Sequence, residues 1–164
     1  MSKEKIKTLD ELKDIVSKLR AEGKTIVLSN GCFDILHVGH IRYLMGAKKE
    51  GDILITALNS DSSSEALKGK GRPIIPLNER MEIISAIECV DFVTYFEETN
   101  VVNILLALKP DVHAKGTDYT VDTVPERETV KSYGGRIAIV GDEKNHSSTE
   151  ILESIKKTNQ KKLL

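Results

Sequence analysis

The sequence predicts a Rossmann-like α/β fold: a doubly wound, five-stranded parallel sheet with helices on both faces. Three observations predict it. Five short apolar runs alternate with stretches whose apolar residues recur at helical spacing. The runs are apolar at successive positions rather than alternate ones, which suits strands covered on both faces. No internal repeat and no linker divides the 164 residues, which is the size of one domain at roughly 150 residues per domain. A single domain over 1–164 is therefore expected, with its core at about 24–157 and a frayed tail over 158–164.

Leu9, Leu12, Ile15, Val16 and Leu19 fall at helical spacing, and Gly23 stops that helix. TIVLSN (25–30) is the first strand, and it breaks at Gly31 into GCFDILHVGH. From about Val38 the positions of Ile41, Leu44, Met45 and Lys48 are helical, closed by Gly51. DILITALN (52–59) is the second strand. SDSSSEALKGKGRPIIP (60–76) is polar, glycine-bearing and proline-bounded, and reads as a loop. Helical spacing resumes at Leu77, with Met81, Ile84 and Ile87 on one face. DFVTYF (91–96) is the third strand, and residues 101–108 form a helix that ends before Pro110. DVHAKG (111–116) is the fourth strand; Gly134 and Gly135 separate a further helix from RIAIVG (136–141), the fifth. The last helix starts at Ser147 and Ser148 and runs to about Lys157.

Composition excludes several classes. With 24 Lys and Arg against 25 Asp and Glu, the net charge of -1 gives no electrostatic reason for a nucleic acid or a membrane surface as partner. A 40% hydrophobic content excludes disorder of the whole chain. No apolar run approaches the roughly 18–20 residues that span a bilayer, and the N-terminal stretch has no signal-peptide apolar region. Cys32 and Cys89 cannot make a disulfide framework, so a reducing cytoplasm is expected.

In doubly wound sheets ligands sit beyond the carboxyl ends of the strands, so chemistry is expected in the loops after strands one, two, four and five. Residues 30–40, NGCFDILHVGH, match neither the G-x-G-x-x-G fingerprint nor a P-loop. His37 and His40 lie three apart on one face of a helix's first turn, with Gly39 between them to admit a close approach. Imidazole N–H groups and the amides of a helix start make a site for phosphate oxygens. The same pair also reads as surface or structural histidines. A structural zinc would need about four ligands, and only His113 and His146 remain, with no cysteine pair nearby.

Residues 31–40 resemble the H-x-G-H signature of the nucleotidylyltransferase superfamily, and His146-Ser147-Ser148-Thr149 resembles its S/T-rich motif at the start of the final helix. Over residues 24–155 the chain is more closely similar to the adenylyltransferase domains of bacterial ADP-heptose synthases. The pieces are NGCFDILHVGHIRYL, LNSDSSSEALKGKGRPIIPLNER, DFVTYFEETN, KGTDYT, GGRIAIV and HSSTEIL. The segment LKGKGRPIIPLNER separates this group from the glycerol-3-phosphate and choline-phosphate cytidylyltransferases. Thr117 and His146 depart from the group's usual pattern.

The resemblance implies transfer of AMP from ATP to D-glycero-β-D-manno-heptose 1-phosphate, giving ADP-heptose and pyrophosphate for the lipopolysaccharide core. It implies His37, His40, Lys68 and Arg72 as catalytic residues. Gly31, Cys32, Phe33, Gly39, Lys115, Gly116, Asp118, Ser147, Ser148 and Thr149 would hold the nucleotide, and Asn59, Asp61 and Arg80 the acceptor. Lys68 alone reads equally as a solvated surface residue, and Asn59 and Asp61 equally as turn residues. Arg72 offers a planar fork to phosphate. Mg²⁺ is expected with ATP, bridging triphosphate oxygens with few protein ligands; Asp34 either assists it or caps a local turn. No dedicated metal site is expected. Cys32 reads as a small filler and Cys89 as core. The expected partners are ATP and a sugar phosphate, a further copy of the chain in a homo-oligomer, a dimer in the commonest case, and a separate sugar kinase acting upstream. Two other readings are a CTP-dependent enzyme of a polyol phosphate (or an ATP-dependent one of flavin mononucleotide) and a module that senses ATP without turnover.

Overall fold

The computed structural model describes residues 2–142 and 148–161. Five strands, β1 (Ile26–Gly31), β2 (Ile53–Asn59), β3 (Phe92–Phe96), β4 (Val112–Gly116) and β5 (Arg136–Val140), form one sheet in the order β3-β2-β1-β4-β5. Every pairing is parallel, with Leu28 opposite Ile55 in β2 and opposite His113 in β4. The predicted fold class is the observed one. After β3 the chain crosses back to the other side of β1, so the sheet reverses direction between β1 and β4.

The first four strands start one residue later than predicted, and the fifth starts where predicted. Asp52, Asp91 and Asp111 each turn a carboxylate back onto a strand amide, those of Thr25, Leu54 and Ile26, at 2.7–2.8 Å. These side chains close the ladder and the strands begin just after them.

Alternation along the strands divides two cores. Val27, Leu54 and Leu58 face one side, where α2 (Val38–Lys48) and α4 (Leu77–Ser85) supply Leu44, Ala47 and Ile84. Ile26, Leu28, Ile55 and Ala57 face the other, against Leu12 and Val16 of α1 (Leu9–Ala21) and Ile104, Leu105 and Leu108 of α5 (Val102–Leu108). Burial of each such side chain contributes about 1.5–3 kcal/mol. α1 is closed at its start by a reciprocal Thr8–Glu11 box and at its end by Gly23 at φ +75°, as its stop signal predicted. Because Leu12 and Val16 are buried, packing begins before residue 24.

Two expectations are corrected. Residues 60–76 are not one loop: α3 (Asp61–Lys68) occupies their first half. Serine is a poor helix former because its hydroxyl competes for backbone partners, but here those partners lie where the helix needs them. Ser60 caps the Ser63 amide, and Ser63 Oγ donates to Glu98 O at 2.6 Å. Gly69, at φ +96°, ends the helix. The final helix, α7 (Ser148–Lys161), runs on through residues 158–161 assigned to the tail. The remaining helix, α6 (Arg127–Ser132), leads into β5.

Candidate active site

The reversal between β1 and β4 opens a cleft of about 790 Å³ beyond the strands' carboxyl ends. The loop after β1 forms one wall. Phe33 takes a left-handed backbone, φ +49°, which folds its ring inward to 4% exposure. Gly31 is needed beneath it, since a Cβ there would lie 3.1 Å from that ring.

His37 precedes α2 and His40 sits in its first turn, ring centroids 3.9 Å apart. The His37 amide donates to His40 Nδ1 at 3.3 Å. That nitrogen is therefore the unprotonated one, and Nε2 carries the hydrogen. Burial, then the neighbouring charges of His37 and Lys68, push the His40 pKa down to about 4. At neutral pH His40 is thus a neutral ring with one N–H to donate. Gly39 brings the first turn of α2 to the cleft, where the leading amides of a helix have no acceptor inside it and favour anions. Tyr43, one turn on, donates to Ala114 O at 2.9 Å and ties α2 to β4; burial raises its pKa.

On the opposite wall Lys68, at the end of α3, lines the cleft with no ion pair among the described residues. Arg72 follows a pair of glycines and precedes Pro73 through a cis bond. Its Nε donates to Asp34 Oδ2 at 2.6 Å, while Asp34 Oδ1 accepts the amides of Ile74 and Ile75 at 2.8 and 2.9 Å. Asp34 therefore clamps the loop carrying Arg72 onto the loop after β1, bonding across about 40 residues of chain rather than capping a local turn. Burial alone would raise its pKa, but the amides of Ile75 and Ile74 and the Arg72 guanidinium outweigh it and hold the carboxyl below the usual range. Its contribution to stability is thus complete above the ordinary carboxylate pKa and is lost as pH falls through the depressed folded value. Asp34→Asn is expected to cost about 2 kcal/mol near pH 7, the scale of hydrogen bonds to a charged group. The gap to the parent protein should close as the pH of a urea titration is lowered below about 4; a gap independent of pH would refute the assignment.

From β4 and the loop after it come Lys115, Gly116 and Asp118. Lys115 Nζ lies 3.6 Å from Glu126 Oε2 and 4.8 Å above the Tyr119 ring. A Cβ on Gly116 would meet Asp118 Oδ1 at 2.8 Å, so a larger residue there would displace the Asp118 carboxylate. Asn59 and Cys32 also line the cleft, with the Asn59 Nδ2 already donating to Ser63 Oγ. No base stands beside Cys32 among the described residues. Thr149 reaches the cleft from the first turn of α7, which Ser148 opens; Ser147 and His146 lie outside the described residues.

Arg80 and Asp61, predicted to hold the acceptor, are corrected. Arg80 is wholly buried and donates to Cys32 O at 2.5 Å, Asn59 O at 2.9 Å and Ile75 O at 2.9 Å. Its last nitrogen pairs with Asp61 at 2.7 Å. Neither residue lines the cleft; together they knit three loops behind it. The sequence reading missed Asn30 and Tyr43, which adjoin the motif and share its helix face, and Glu126, for which the sequence holds no signal.

A doubly wound sheet that gathers histidines, basic side chains and a helix start around one anion-sized cleft is the build of a nucleotidyltransferase. Residues 28–159 match the profile described as cytidylyltransferase-like, and the chain belongs to that family. It is 47% identical over 153 residues to the bifunctional protein HldE of Geobacter sulfurreducens and 44% identical over 151 residues to that of Syntrophotalea carbinolica. Those matches cover 93% and 92% of the chain but 31% of each relative, so the chain spans about a third of their length. Among solved structures, the lipopolysaccharide core biosynthesis protein of Thermoplasma volcanium superposes with TM-score 0.65 and 30% identity, over 73% of this chain and 98% of that one. Pantoate-beta-alanine ligase of Francisella tularensis shares the fold, with TM-score 0.60 and 16% identity over 92% of this chain and 76% of its own. Nucleotidyltransferases of this kind use a divalent metal with their nucleotide. No helix among the described residues is long and apolar enough to cross a membrane.

Proposed function

We propose that the protein is an adenylyltransferase that moves AMP from ATP to D-glycero-β-D-manno-heptose 1-phosphate, releasing pyrophosphate and forming ADP-heptose for the lipopolysaccharide core. The observation that carries the chemistry is the neutral His40, its Nδ1 engaged by a backbone amide and its Nε2–H left to donate beside His37 and the α2 start. The similarity to the HldE proteins along nearly the whole chain supports the choice of substrates.

In-line transfer forms a bond from an acceptor phosphate oxygen to the α-phosphorus and breaks the bond from that phosphorus to the β-phosphate. Charge builds on the bridging and non-bridging oxygens, so the protein must position two polyanions and supply donors rather than a nucleophile. His40 donates without surrendering its proton, and His37 stands beside it. Lys68, Arg72 and Lys115 neutralise phosphate charge, and Ser147, Ser148 and Thr149 bind the distal phosphates. Gly31, Cys32, Phe33, Gly39, Gly116 and Asp118 shape the nucleotide side, and Asn59 the acceptor side.

No three His, Cys, Asp or Glu side chains among the described residues converge as a metal site, and Asp34 is engaged by Arg72 and two amides. The cleft's donors instead fit a triphosphate carrying Mg²⁺, which would supply further neutralisation of phosphate charge there. With this reading go action in the cytoplasm, a homodimeric assembly, and a sugar kinase that makes the 1-phosphate beforehand.

The test is pyrophosphate release with Mg²⁺, ATP or CTP, and a panel of both heptose 1-phosphate anomers, glycerol 3-phosphate and flavin mononucleotide. Release with ATP and the β-heptose 1-phosphate alone is expected. Release with CTP and glycerol 3-phosphate would overturn the substrates, and tight ATP binding with no release would favour a sensor.

A further inference from the structure

Lys115 enters the cleft from the end of β4 with only 8% of its surface exposed. Glu126, Tyr119 and the Asn30 Oδ1 at 3.5 Å stand around it, each at the long edge of contact. None of them alone fixes the amine.

Behind Asn30 lies His113, wholly buried in β4, with its Nε2 3.2 Å from the same Asn30 Oδ1. The contacts point to one protonation pattern. Lys115 can only donate, so the Asn30 oxygen and not its nitrogen faces this corner. An oxygen only accepts, so His113 carries its hydrogen on Nε2. Its Nδ1 is then a bare acceptor, and it has no hydrogen-bond partner. Burial and the Lys115 charge push the His113 pKa down to about 3, so the ring is neutral across the physiological range. An orphaned polar atom inside a sheet is a cost to folding that an aliphatic residue would avoid. What the histidine supplies in return is the Nε2–H. Asn30 itself lines the cleft, and its Nδ2 has no hydrogen-bond partner among the described residues.

We propose that His113 is a positioning residue: its Nε2–H holds the Asn30 oxygen against Lys115, which aims the ammonium into the cleft and leaves the Asn30 Nδ2 to donate to the bound nucleoside triphosphate. The inference rests on the nucleotidyl-transfer reading above. Neither Asn30 nor His113 touches the reacting atoms in this scheme; Asn30 binds, and His113 acts through Asn30.

Two variants of the full chain test it. His113→Leu fills the strand without the donor, and His113→Gln returns an N–H near the imidazole Nε2. Both should fold, with the melting temperature of the leucine variant at or above that of the parent. The leucine variant is expected to raise the KM for ATP about tenfold with kcat nearly unchanged, as for a binding interaction equal in ground and transition states. The glutamine variant should recover KM to within about threefold of the parent. An unchanged KM in the leucine variant, or equal impairment in both variants at equal folded fraction, would reduce His113 to packing. A separate readout needs no turnover: ¹⁵N NMR of the ligand-free protein should show the Nε2–H form of His113. The Nδ1–H form there would overturn the positioning role, while an inactive parent protein with the Nε2–H form would overturn the proposed reaction and leave the hydrogen-bonded arrangement standing.

Discussion

His40→Ala is expected to lower kcat for nucleotidyl transfer by about 10²- to 10³-fold, the scale of one preorganised donor aimed at developing charge. The fold should be largely kept, because the side chain faces the cleft and its hydrogen bond is to the His37 amide at the start of α2, with the Phe33 and His37 rings beside it. That amide regains water when the ring is removed. His40→Gln keeps an N–H but not the ring nitrogen that accepts the His37 amide and so orients the donor, and is expected to recover only part of the loss. A His40→Ala variant that turned over within a few-fold of the parent would remove the histidine from the reaction. Rate also bears on pH: with the free-protein pKa pushed down to about 4, His40 is already neutral at pH 6, so its titration should leave no step in activity between pH 6 and 8.

Arg80→Met is expected to be the most destabilising single exchange near the site, although Arg80 never reaches the cleft. Its guanidinium serves the carbonyls of Cys32, Asn59 and Ile75 at once. Those carbonyls follow β1, end β2 and precede α4. Leaving buried acceptors unpaired costs about 1–3 kcal/mol each, so a loss of about 3 kcal/mol or more is expected. Arg80→Lys keeps the charge but cannot form a planar fork to three acceptors, and should recover less than half. Urea denaturation reads this directly: the midpoint should fall with the slope unchanged. A loss below about 1 kcal/mol would mean that water replaces the guanidinium behind the loops. Activity should fall with stability here, since the loops carrying Phe33, Arg72 and Asn59 lose a common anchor.

Much of the fold was legible because its signals are local. Gly23 and the apolar runs each act within a few residues, and the strands followed them to within one residue. α3 was not legible, because a serine-rich run becomes helical only when hydroxyls such as that of Ser63 find acceptors elsewhere, here Glu98 O, 35 residues away in the chain. In the site, His37, Gly39 and His40 were identifiable by spacing after a strand, and Lys115, Gly116 and Asp118 by the family resemblance; all six line one cleft. Arg80 was misread because a basic residue in a polar segment gives no sign of facing inward, and its partners are backbone carbonyls, which carry no sequence signature. Asp34 left two roles open for the same reason: its amide partners at residues 74 and 75 are 40 and 41 positions away.

The most direct measurement follows the phosphorus atoms. The protein, Mg²⁺ and D-glycero-β-D-manno-heptose 1-phosphate are incubated in parallel with ATP labelled at the α- and at the γ-phosphate, and the sugar product is isolated. Label from the α-position should appear in ADP-heptose, with the γ-label leaving in pyrophosphate and none on the sugar. Label from the γ-position on the sugar, or no labelled sugar nucleotide while ATP remains bound, would contradict attack at the α-phosphorus and with it the role given to the His37–His40 wall of the cleft.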